Sequence, residues 1–148
     1  MATNAASMLS GDKPADELVE YGNSKEVSSN AKAHEFFAVL LTAAPYAHML
    51  HLQTRSNAEH MALGTLYEEL PDLTDKLIES YQGKYGLVMN YPTPSLPELD
   101  NPVAMAKQLA DYIGQNRKAV APDSYLQNQI DEIEKLLYST LNKLKFLA

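Results

Sequence analysis

The chain has 148 residues, a length that fits one domain. Its 12 Lys and Arg against 19 Asp and Glu give a net charge of −7, which argues against DNA as a partner because phosphate recognition needs basic side chains. The absence of Cys excludes a disulfide scaffold, a Cys-ligated zinc site and a thiol nucleophile. No apolar run approaches the ~20 residues that cross a bilayer and no signal peptide opens the chain, so we expect a cytoplasmic protein without a membrane partner.

Two regions differ in their residue pattern. Residues 1–29 are small, polar and aperiodic, which predicts a flexible N-terminal arm. Helical periodicity begins at Asn30, and residues 30–148 are assigned to one domain. No segment has the alternating pattern of a strand, so the predicted fold class is all-α.

The first predicted helix begins at residues 28–30, each of which is a suitable N-cap, and ends near Gln53. Pro45 lies inside this segment and predicts a kink or a break, because proline cannot donate the helical hydrogen bond. Apolar side chains recur at steps of three and four, the spacing of one helix face. These positions are Phe36, Leu40, Ala44, Ala47 and Leu50.

The second predicted helix begins near Ser56 and is ended by Gly83 and Gly86. Pro71 again predicts a kink or a restart of the helix. Leucines repeat at intervals of 3, 4, 3 and 4 residues, which is typical of a heptad-like buried seam. They are Leu63, Leu66, Leu70, Leu73 and Leu77.

Two further helices follow a long connection. The third is expected from Pro102 to Lys118 with Asn101 as its N-cap, and the fourth opens at residues 122–123. The connection over residues 84–101 is long for antiparallel neighbours and suits a crossover along the length of a bundle. The sequence therefore predicts a four-helix bundle of up-down-down-up type, with the long connection between helices two and three.

The histidines are the first functional clue, because all four fall within one stretch of 27 residues. Imidazole and carboxylate are the ligands that Fe, Zn or Mn sites use when no thiolate is present. His34 is expected at the surface or in the N-terminal turn of the first helix. The role of His48 stays open among three alternatives: a metal ligand, a residue at the edge of the core, or an interface residue. The potential ligands are His48, His51, His60, Glu68, Asp75 and Glu79.

Helix geometry restricts how these ligands combine. His60 and Asp75 lie about 22 Å apart along one helix, so they cannot bind one metal within a single chain. Yet His60, Gly64, Glu68, Asp75 and Glu79 share one face, roughly opposite the leucine seam. This face is either solvated or an isologous dimer interface. In the second case a two-fold axis near Glu68 brings His60 of one copy towards Asp75 and Glu79 of the other.

The segment over residues 50–80 carries a recognisable pattern. His51 lies near a predicted helix end, His60 follows a short loop, a Tyr-Glu-Glu-Leu stretch occupies residues 67–70, and Asp75 and Glu79 form an Asp-x-x-x-Glu pair. The segment resembles the ferroxidase segment of the Dps miniferritins, a ferritin-like family. The interval of fifteen residues from His60 to Asp75 and that of four residues from Asp75 to Glu79 match the corresponding intervals of that family without gaps. The chain as a whole is most similar to short ferritin-like proteins of tailed bacteriophages.

This resemblance implies a ferritin-like four-helix bundle that binds iron, with Zn or Mn as alternatives, and oxidises Fe(II). It implies that His51 and His60 come from one subunit and that Asp75 and Glu79 come from the two-fold mate. The functional unit would then be a homo-oligomer, at least a dimer and up to a dodecamer.

Three departures from the family pattern matter. Gly64 stands where the family usually has an acidic residue, and Leu52 stands where it has Trp. The interval from His51 to His60 is three residues shorter than in the family, so His48 remains the alternative first ligand. A metal-independent structural or adaptor protein of the same fold, bound to phage structural proteins in a virion, is the alternative function.

Overall fold

The computed structural model describes residues 26–95 and 101–148. Within these ranges the chain is helical, and its one β-type contact is an isolated bridge between Val27 and Leu87. No helix in this part of the chain is long and apolar enough to cross a membrane. The all-α prediction is confirmed, whereas most of the predicted arm, residues 1–25, lies outside the described residues. The helices are α1 (Ala31–Gln53), α2 (Asn57–Tyr85), α3 (Pro102–Asn116) and α4 (Ser124–Phe146), with a 3-10 turn (Arg117–Ala119) after α3.

The predicted helix boundaries agree closely with the structure. The side chain of Asn30 caps α1 by accepting a hydrogen bond from the amide of Ala33, and Asn101 caps α3 in the same way. A break or restart at Pro45 or Pro71 is wrong, since α1 and α2 continue through both residues. Both prolines lie on exposed helix faces, where the packed flanking turns outweigh one missing hydrogen bond.

The hydrogen bonds at one end of the bundle define the helix directions. The side-chain amide of Asn30, at the start of α1, donates to the carbonyl of Ala119 just after α3 at 3.0 Å. Lys84 and Tyr85, at the end of α2, bind the carboxylate of Asp123 at the start of α4. The helices α1 and α4 therefore run in one direction and α2 and α3 in the other, which is the predicted up-down-down-up order. The connection from α2 to α3 must accordingly traverse the bundle.

The predicted apolar stripes meet in one core. Of the leucine seam in α2, Leu73 is partly buried and the other four residues are fully buried. Aromatic contacts join the helices: Phe37 of α1 meets Tyr81 of α2 with ring centroids 4.9 Å apart, and Phe36 stacks on Tyr112 of α3 at 6.0 Å. The face of α2 opposite the leucine seam therefore points away from this core, as the periodicity predicts.

The end of α2 is joined to the segment that precedes α1. Gly86 ends α2 with φ at +96°, and a Cβ there would collide with the carbonyl of Glu26. The amide of Leu87 donates to Glu26 at 2.7 Å, and the hydroxyls of Ser28 and Tyr81 lie 2.6 Å apart. Residues 26–29, assigned to the arm from the sequence, thus lie against the helical domain.

Candidate metal centre

A short turn brings the end of α1 against the start of α2. Ser56 caps α2 by accepting a hydrogen bond from the amide of Glu59, and the Thr54 hydroxyl donates to the Glu59 carboxylate at 2.5 Å. These bonds hold the loop of residues 54–56 tightly. As a result His51, in the last turn of α1, lies beside His60, in the first turn of α2.

His51 and His60 form a reciprocal pair. The Nδ1 atom of His51 donates to the carbonyl of His60 at 2.6 Å, and Nδ1 of His60 donates to the carbonyl of His51 at 2.9 Å. The two rings stack with centroids 3.6 Å apart and planes inclined by 22°. Because a carbonyl can only accept, each neutral ring carries its proton on Nδ1 and keeps the Nε2 lone pair. This is the tautomer that a ring needs to bind a metal through Nε2.

Gly64 explains how His51 can lie so close to α2. A Cβ added to Gly64 would fall 3.3 Å from Cε1 and 3.4 Å from Nδ1 of His51. The imidazole therefore packs against the backbone of α2 at Gly64, and a Cβ there would require it to shift by a few tenths of an ångström. Gly64, which stands where the Dps miniferritins usually have an acidic residue, is thus also the residue on which His51 packs.

Tyr67 extends the ring cluster along α2. Its ring stacks on that of His48 with centroids 4.1 Å apart and an 11° inclination, and it meets His51 edge-on at 5.0 Å. His48, whose role the sequence left open, thus packs on this tyrosine, with its ring centroid 6.0 Å from that of His51. Sequence reasoning used Tyr67 only as part of a motif. Its position seven residues after His60, two helical turns away, is the signal for a shared face.

The other predicted site residues lie elsewhere. Asp75 and Glu79 are exposed further along α2, towards the opposite end of the bundle. Within residues 26–95 and 101–148 of a single chain, no three or more His, Cys, Asp or Glu side chains form a group that could hold a metal ion. His34 lies in the N-terminal turn of α1, as one alternative predicted, but it is only 8% exposed, so the surface alternative is wrong. The structure therefore brings the predicted histidine ligands together with each other and not with the predicted carboxylate ligands.

These features define a helical protein whose first two helices are joined by a hydrogen-bonded imidazole pair. Residues 51–144 match a family of unknown function, DUF5856, and the chain belongs to that family. It is also 30% identical over 126 residues to an uncharacterized 14.6 kDa protein from the mobD-ri intergenic region of Enterobacteria phage T4. That match covers 82% of this chain and 94% of the phage protein.

The phage relative agrees with the phage part of the resemblance seen in the sequence. The names of the family and of the phage relative mention no metal, activity or partner. No solved structure matches the chain significantly. The matched region begins at His51 and therefore includes His60, Tyr67, Asp75 and Glu79.

Proposed function

We propose that the protein is a ferritin-like homo-oligomer that binds a divalent metal at sites shared between two chains in a phage-infected bacterial cell. His51 and His60 of one chain and Asp75 and Glu79 of a second chain are the proposed ligands. The observation that carries the proposal is the reciprocal His51–His60 pair, which directs both Nδ1 protons to carbonyls and leaves the Nε2 lone pair of each neutral ring outside these bonds. Since the two stacked ring planes are inclined by only 22°, one ring has to turn before both Nε2 atoms can reach a single ion.

The helix order supports a ferritin-like arrangement. Ferritin-like bundles have one long crossover, and the contacts of α1 with the end of α3 and of α2 with the start of α4 require the same order here. Fold alone does not establish an activity, so the proposal depends on the imidazole pair and on the placement of the carboxylates.

The outer face of the α1–α2 hairpin supports the participation of a second chain. Leu41, Leu52 and Met61 are 40%, 70% and 64% exposed on this face, which also carries Asp75 and Glu79. A contiguous exposed apolar patch is typical of interaction surfaces, and we propose that these side chains form one. A two-fold axis through the middle of this face sets the histidine end of one hairpin against the carboxylate end of the other, and so builds two sites at once.

The donor set fits the proposed metals. Two imidazoles and two carboxylates suit Fe, Zn and Mn, and the carboxylates favour the harder, oxidised iron ion. Fe(II) oxidation is therefore the activity we expect, with metal storage or binding alone as the lesser alternative. Gly64 contributes no ligand, so each site would have one carboxylate fewer than the resemblance to the Dps miniferritins implies.

The first experiment measures Fe(II) binding under anaerobic conditions and oxidation after oxygen is admitted, both by absorbance. We expect oxidation faster than in buffer alone and its loss in His60→Ala and in Asp75→Asn. Arg55→Ala, in the loop between α1 and α2, is the matched control and should behave as the unsubstituted protein. No acceleration over buffer by a folded protein would overturn the proposal and favour a metal-independent structural or adaptor role.

Mixing variants tests whether the site is shared. A chain with His60→Ala and a chain with Asp75→Asn and Glu79→Gln each lack one half of every site, so neither should bind metal alone. Their mixed dimer regains one intact site, which predicts about one quarter of the unsubstituted metal content after random exchange of equal amounts. No recovery in a mixture shown by native mass spectrometry to contain mixed dimers would exclude a shared site.

A further inference from the structure

A cleft lies on the side of α1 that faces α3, away from the histidine cluster. Its volume is about 330 Å³, which falls within the range of ~300–1,000 Å³ typical of small-molecule sites. The walls are mostly apolar, and Pro94 of the connection between α2 and α3 lies over them. The apolar lining side chains are Val39, Ala43, Met105 and Leu109.

The polar side chains of the cleft are one carboxylate, two phenols, the Ser95 hydroxyl and the Gln108 amide. Glu35 lines the cleft and is exposed, and no salt bridge within the described ranges involves it. Tyr46 and Tyr112 line the same space from α1 and α3. Burial, together with the negative charge of Glu35, raises the pKa of Tyr112 to about 12. The contribution of Glu35 to this shift indicates that the field of its carboxylate extends into the cleft.

We propose that this cleft binds a small organic cation, an ammonium group attached to an aliphatic or aromatic body. The apolar walls of α1 and α3 would take the body of the ligand. Glu35 would attract the ammonium group, and the aromatic rings of Tyr46 and Tyr112 that line the cleft would add cation–π attraction, although one face of Tyr112 stacks on Phe36. An organic anion is disfavoured because the one charged side chain lining the cleft is a carboxylate.

Methyl NMR tests this assignment directly. Protein labelled with 13C at the methionine methyl groups has a reporter in the cleft, Met105, and three exposed reporters among the described residues that do not line it, Met49, Met61 and Met89. The probes are phenethylammonium, the neutral 2-phenylethanol and the anionic 3-phenylpropionate. We expect phenethylammonium to shift the Met105 signal, assigned with Met105→Leu, and to bind about fivefold tighter than 2-phenylethanol. The signals of Met49, Met61 and Met89 should not move.

Two kinds of variant separate charge from shape. Glu35→Gln is on the surface and should fold normally, and it should abolish the preference for the cation while leaving 2-phenylethanol binding unchanged. Ala43→Leu and Leu109→Phe fill the cleft and should abolish binding of both probes, with the fold checked by circular dichroism. The proposal is overturned if no probe shifts Met105, if the anion binds as well as the cation, or if a folded, filled variant still binds. None of these outcomes depends on the metal proposal.

Discussion

The imidazole of His51 lies against the bare backbone of Gly64, so close that a Cβ on residue 64 would be 3.3 Å from its Cε1 atom. A side chain at residue 64 would therefore press on the His51 ring through its Cβ and require a shift of a few tenths of an ångström. The hydrogen bond from His51 to the carbonyl of His60 depends on that ring position. Gly64 thus contributes to the imidazole pair by the absence of a side chain.

Replacing Gly64 should test this packing. Gly64→Ala gains helix propensity worth about 1 kcal/mol, but the ring of His51 must move by a few tenths of an ångström, so we expect little net change in the free energy of unfolding. Gly83→Ala is the matched control in α2, with nothing within 4 Å of the added Cβ, and should stabilise by up to about 1 kcal/mol. Urea denaturation measures both. Equal stabilisation by the two substitutions would contradict the contact with His51.

The hydrogen bonds of the imidazole pair predict a specific tautomer. Long-range 1H–15N NMR spectra at neutral pH should show His51 and His60 protonated on Nδ1. His60→Phe keeps an aromatic ring that can stack but removes one donor, so we expect a loss of about 1 kcal/mol in the free energy of unfolding. A predominant Nε2–H form of both rings would show that the reciprocal bonds do not form in solution.

Asp123 predicts a loss of stability in acid. Hydrogen bonds from Lys84 and then Tyr85 lower the pKa of its carboxyl group, because both donors favour the charged form. The resulting stabilisation is complete above the unfolded-state pKa, about 3.9, and disappears as the pH falls through the lower pKa of the folded protein. Asp123→Asn should therefore flatten the acid side of the stability curve measured by urea denaturation. Asp111→Asn, at an exposed position in α3, should leave that side unchanged.

Gly86 should be the least replaceable glycine among those described. Its φ of +96° is unfavourable for residues with a side chain, and a Cβ there would collide with the backbone of Glu26. We expect Gly86→Ala to cost about 2 kcal/mol or more, because it adds backbone strain and displaces the bridge between Val27 and Leu87. Thermal unfolding followed by circular dichroism provides the measurement. A melting temperature equal to that of Gly83→Ala would contradict this role.

The sequence by itself determined the helices and the core. Steps of three and four residues along Leu63, Leu66 and Leu70 require one buried face, and the caps Asn30 and Asn101 mark helix starts through their own side chains. These features depend on neighbours within a few residues, so periodicity alone is enough to predict them. The same spacing of apolar residues also predicts which face of α2 is exposed.

Only the tertiary structure decided how distant residues meet. The reciprocal bonds of His51 and His60, the packing of His51 on Gly64 and the burial of His34 depend on the angle and separation at which two segments approach. Helix periodicity does not contain that information. Continuity through Pro45 and Pro71 was decided in the same way, because packing of the flanking turns outweighs a local preference to break the helix. The absence of Cys left imidazole and carboxylate as the available metal ligands, and the approach of α1 to α2 decided which imidazoles form a pair.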